Sequence, residues 1–128
     1  YQEILVPYNG STKTGVALEV AIDLAQQMQS SVTVVVVQEP EFLHGDAAED
    51  DTWVKKQLKK IRELARIHKI QINEELRAGN PVKEITALAK NFDLMVLGSE
   101  NREKDFLSPH VGELIVRKAL CSTLIVTE

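Results

Sequence analysis

Cysteine is nearly absent from this chain: Cys121 is the only one in 128 residues. One cysteine excludes an internal disulfide and any cysteine-built zinc cluster. It fits a reducing compartment, so a cytoplasmic location is expected. Basic charge is also in deficit, with 15 Lys and Arg against 19 Asp and Glu and a net charge of −4. A nucleic-acid-binding domain usually carries the opposite balance, so no nucleic-acid partner is expected. No apolar run approaches the roughly 18 residues of a membrane span, so the chain is not expected to insert in a membrane. No signal-peptide pattern is visible. The chain opens on Tyr1 rather than Met, as expected of a piece cut from something longer. Catalytic constellations are missing too. His44, His68 and His110 fall in three separate elements, no Gly-x-Ser-x-Gly elbow occurs, and no acid pair has catalytic spacing. No enzyme activity and no bound metal are expected. Cys121, beside the last apolar run, reads as a small buried hydrophobe.

What is present is an ordinary globular composition, 44% apolar and 27% charged, at a length that suits one domain over residues 1–128. Strand and helix patterns alternate. "EILVP" (3–7) is a short apolar run ended by Pro7. "VALEVAIDLAQQM" (16–28) spaces its apolar residues as a helix does. "SVTVVVV" (31–37) is apolar on both faces, the mark of a strand buried in a parallel sheet. Residues 38–51 read as an acidic loop, and 52–69 as a helix with one apolar face and seven Lys or Arg elsewhere, a basic face read as solvated. "QINEELR" (71–77) is a weaker strand suited to a sheet edge. Asn80 and Pro81 start a third helix, as cap and first-turn residue. "DLMVLG" (93–98) is a buried strand, "SPHVGELIVRKAL" (108–120) a fourth helix, and "STLIVT" (122–127) the last strand. This β-α-β-α-β-α-β-α-β order predicts an open, mainly parallel α/β sheet with helices on both faces. Such sheets bind ligands beyond the carboxyl ends of their strands, where the strand order reverses.

Two glycine-bearing loops follow strands: "PYNGS" (7–11) and the stretch from Gly98 to Ser108. "GSTKTG" (10–15) imitates a P-loop, but Val16 and Ala17 stand where Lys and Ser/Thr are needed. It reads as a strand-to-helix turn capped by Ser11 or Thr12.

Four stretches in order, "ILVPYNGS", "AIDLAQQMQSSVTVVVVQEP", "AGNPVKEITALAKNFDLMVLGS" and "VRKALCSTLIV", resemble the universal stress protein family over nearly the whole chain. The resemblance implies a five-stranded parallel sheet in the order 3-2-1-4-5, the nucleotide-hydrolase-like arrangement that sets the two glycine loops in one crevice. It also implies homodimers through the last strand, residues 122–127, and, in some members, an adenine nucleotide, AMP or ATP, held by a Gly-x2-Gly-x9-Gly-Ser/Thr loop.

Carried onto this chain, the resemblance puts Pro7, Asn9 and Val37 on the adenine side and Gly98, Asn101, His110 and Gly112 on the phosphate side. Gly98 matches the first loop glycine, and Asn101 replaces the second. Pro109-His110 or Val111-Gly112, depending on alignment, replace the final Gly-Ser. Asn9 replaces the usual Asp. The expected function is a non-catalytic regulatory domain that dimerises and senses an adenine nucleotide with weakened phosphate binding. Two alternatives stand beside it: a cytosolic regulatory domain of a cation/proton antiporter, and a weak nucleotide hydrolase.

Overall fold

Apolar residues on both faces force the central strands between two layers of helix. The computed structural model describes residues 2–38, 47–98 and 121–126, and the side chains of 47–51 are outside that description. The elements run β1 (Glu3–Pro7), α1 (Thr12–Met28), β2 (Ser31–Gln38), α2 (Ala47–Ile67), β3 (Ile72–Ala78), α3 (Pro81–Ala89), β4 (Leu94–Gly98) and β5 (Ser122–Val126). The strands form one sheet in the order β3-β2-β1-β4-β5, every neighbouring pair parallel. This is the order and direction expected. The helix expected over 108–120 lies outside the described residues.

Alternation along each strand divides the core in two. On one face Ile4, Val6, Val32, Val34, Val36 and Val96 pack with Ala17, Leu18, Ala21 and Ile22 of α1 and Ile61 of α2. On the other, Leu5, Val35, Val37, Met95 and Leu97 pack with Ile85, Leu88 and Ala89 of α3. β1, β2 and β4 are almost wholly buried, whereas β3 and β5 are the partly exposed edges. The alternating pattern of "QINEELR" is therefore an edge pattern, as expected. Cys121 is half-buried against the second cluster, and burial pushes its thiol above the ordinary pKa, which keeps it protonated at neutral pH.

Helix ends follow their local chemistry. Ser11 caps α1 and Asn80 caps α3, where Pro81 occupies the first turn and Glu84 faces the positive helix end. The start of α2 departs from expectation. The acidic stretch 38–51 reads as loop throughout, yet α2 begins at Ala47, five residues before Thr52. An acidic run suits a helix start as well as a loop, so the pattern does not by itself separate the two. Asp93 ties the opposite rim of the sheet together, since its Oδ2 accepts from the backbone N–H of Gln2 (3.1 Å) and Glu3 (2.9 Å).

Candidate functional site

Strand order reverses between β1 and β4, so the crevice lies beyond Pro7 and Gly98, at the carboxyl ends of those strands. The turn from β1 into α1 is built from its own polar side chains. Asn9 Oδ1 accepts from the Ser11 N–H at 2.9 Å and from the Thr14 hydroxyl at 3.0 Å. Ser11 Oγ accepts from the Thr14 N–H at 3.2 Å, and the Thr14 hydroxyl also reaches the Ser11 carbonyl at 3.0 Å. Thr14 is fully buried. A carboxamide oxygen does here what the oxygen of an aspartate would do, so replacing Asp by Asn keeps the turn and removes only its charge. The first turn of α1 contains no acid, and Lys13 sits in it, so the helix supplies no carboxylate of its own to its positive end.

Two glycines permit this turn, for different reasons. Gly10 has φ +87°, a left-handed conformation that a side chain disfavours, and a Cβ there would run into the Gln57 amide. Gly98 has no such backbone requirement. A Cβ at Gly98 would instead collide with the backbone of Lys13 and Thr14, the carbonyl of Lys13 first. The end of β4 thus lies close against the backbone of the first turn of α1. Gly98 is therefore demanded by packing whether or not a ligand occupies the crevice.

Of the positions that the resemblance puts on the adenine side, Pro7 and Val37 lie on the neighbouring strands β1 and β2. Pro7 pairs with Val35 at the end of β1, and the Tyr8 N–H continues the ladder to the Val35 carbonyl at 2.9 Å. Val37 is buried with Leu5, Ile85 and Leu97, so its side chain is committed to the core. Asn101, His110 and Gly112 lie outside the described residues. Tyr8 and Gln57 are additions that the sequence did not disclose. Tyr8 is buried on the α1 and α2 face, and that burial raises its phenol pKa, so the ring stays neutral at physiological pH. Gln57 is 4% exposed and its Oε1 has no hydrogen-bond partner among the described residues. Its signal was available: Gln57 stands four residues before Ile61, on the buried stripe of α2.

The family model described as the universal stress protein family matches residues 1–127. Universal stress protein MJ0531 of Methanocaldococcus jannaschii is 27% identical over 140 residues, covering 98% of this chain and 82% of its own. Among solved structures, universal stress protein UspA from Lactobacillus plantarum superposes with a TM-score of 0.82 at 20% identity, covering 99% of this chain and 98% of that one. A family member from Arabidopsis thaliana, solved with AMP bound, gives a TM-score of 0.76 at 15% identity, covering 98% and 91%. At those identities the solved structures bear on the fold, while the family match spans all but the final residue: this chain belongs to the universal stress protein family.

Proposed function

We propose that this chain is a non-catalytic regulatory module that dimerises through β5 and senses an adenine nucleotide, holding the base and first phosphate better than the outer ones. The observation that carries this reading is the juxtaposition of the Asn9 turn and Gly98 across the reversal of strand order, with α1 entering between them. The AMP in the Arabidopsis relative supports a single-phosphate adenine ligand here. The polar groups of the turn support a non-catalytic role, because Asn9, Ser11 and Thr14 are engaged with one another. On the phosphate side, the resemblance asks for small residues where this sequence has Asn101 and either Pro109-His110 or Val111-Gly112. Proline has no N–H to donate.

A lost hydrogen bond to a charged group is worth roughly 1.5–3 kcal/mol, so two losses weaken binding by roughly two to four orders of magnitude. Calorimetric titration of nucleotide-free protein should therefore find ATP binding only in the high micromolar range or weaker, and within about tenfold of AMP. Low-micromolar ATP binding with AMP a hundredfold weaker would overturn the reading.

The dimer reading rests on how the two edges differ. β3 carries Glu74, Glu75 and Arg77, charges that discourage pairing with another strand. β5 carries no charge, and its Leu124 and Ile125 are 40% and 45% exposed. An uncharged, apolar edge is a template for a second copy. Light scattering at high micromolar concentration should show a dimer, and Ile125→Lys should convert it to monomers. A dimer that survives the substitution would place the interface elsewhere.

A further inference from the structure

We propose that the outer face of α2 is a docking surface for an anionic phospholipid bilayer. Between Thr52 and Lys69 the chain places seven of its 15 basic residues against a single acid, Glu63, although the chain as a whole is acidic. The inner face of that helix is committed to the core through Ile61, with Trp53, Leu58 and Leu64 packed beside it. Its outer face holds Lys55, Lys56, Lys59 and Lys60 within two turns, all exposed.

The arginines and the lysines of this region are used differently. Arg62 makes a two-pronged pair with Glu74, at 2.9 Å through both Nε and Nη2. Arg66 lies 3.8 Å from Glu63, and Arg77 lies 3.4 Å from Glu75. The guanidinium of Arg62, the group best shaped to grip an individual phosphate, is thus occupied by a carboxylate, and Arg66 and Arg77 each have one nearby. Lys56, Lys59 and Lys60 have no carboxylate partner among the described residues. Lysines act as point charges on flexible stems, so they suit a diffuse sheet of negative charge rather than a bidentate phosphate site.

Exposed aliphatic groups flank these charges. Ile67 is 60% exposed, seven residues or about two turns beyond Lys60 and so on the same side of the helix. Leu76 is 51% exposed on β3, two residues from the Glu74 that holds Arg62, and therefore on the same side of the sheet. Lysines with aliphatic side chains at their border, and neither an exposed aromatic anchor nor a free arginine among them, match an anionic bilayer better than a protein partner or an RNA. A bilayer requires no pocket, and its surface attracts each nearby lysine while admitting an aliphatic tip.

The test is vesicle co-sedimentation of the intact chain at about 50 mM salt, where screening is weak. Vesicles containing roughly a third phosphatidylserine should retain the protein at least about tenfold better than phosphatidylcholine alone, with most of that difference lost near 0.5 M salt. The triple variant Lys56→Gln/Lys59→Gln/Lys60→Gln should lower partitioning by about a hundredfold, at roughly fivefold per lysine. The double variant Lys83→Gln/Lys90→Gln, on exposed positions of α3 and its C-cap across the sheet, should leave it unchanged. All five lysines are exposed, so the fold survives both variants, and circular dichroism verifies it. A fall of less than tenfold in the triple variant, an equal fall in the α3 variant, or equal retention by neutral vesicles overturns the proposal. So does retention by duplex RNA or polyglutamate with none by vesicles, which would assign the face to another polyanion.

Discussion

Gly98→Ala should destabilise the nucleotide-free protein by roughly 2–3 kcal/mol, near the upper end of the usual range for overpacking. The added methyl would meet the Lys13 carbonyl and the Thr14 nitrogen, which are backbone atoms in the first turn of α1. Neither can swing aside as a side-chain tip could. Either α1 moves off the sheet or the end of β4 bends, and the first choice disturbs the buried Thr14 and its bonds to Asn9 and Ser11. Thermal unfolding without ligand should show a midpoint lower by about 10 °C for a chain of this size. The outcome separates two reasons for a glycine. If Gly98 were kept only for close approach of a phosphate, alanine would be tolerated in the empty protein and harmful only to binding. A stability change within about 0.5 kcal/mol would therefore reassign this residue to the ligand.

The second large effect is expected at Leu5, and it tests the topology. Leu5 is fully buried on the central strand, level with Thr33 of β2 on one side and Met95 of β4 on the other. With strands on both sides and α3 above, little can collapse into the space its side chain leaves. Leu5→Ala should cost about 3–5 kcal/mol, the upper part of the range for buried leucine, from lost transfer energy and the residual cavity. Leu76→Ala removes the same atoms from the β3 edge, where the side chain is 51% exposed, and should stay within about 0.5 kcal/mol. Urea unfolding of the two variants gives the comparison directly. Similar losses at both positions would mean that β1 is not the innermost strand.

The candidate site was partly legible before the structure. The glycine-bearing loops after β1 and β4 were legible because α/β sheets bind ligands beyond strand ends at a reversal of order, whereas Asn9 was marked only by the family resemblance. The purpose of Gly98 was not legible. A glycine after a strand looks the same in sequence whether it makes room for a phosphate or for a helix. Only the position of α1 shows that the Lys13 backbone occupies the space a Cβ would need. The contact of Gln57 was hidden for a related reason. Its spacing to Ile61 marks it as facing inward, but only the packing of α2 on the sheet shows that it meets Gly10.

What the sequence by itself determined were the properties carried by short segments. Continuous β-branched runs placed β2 in the middle of a parallel sheet, and alternation placed β3 at an edge, because side chains on a strand repeat every two residues. Asn80, Pro81 and Glu84 announced α3, because capping depends on neighbours in the chain. The start of α2 lay at the limit of such reading, since an acidic run suits a solvated loop and a positive helix end equally well. Tertiary structure alone decided what depends on residues distant in sequence. It brought Gly98 against Lys13 and Gln57 against Gly10, and it set Glu74 on Arg62 rather than on Lys56, Lys59 or Lys60, which have no carboxylate partner among the described residues. Each is a contact between elements, fixed by packing the helices on the twisted sheet, and no local pattern encodes which two surfaces will meet.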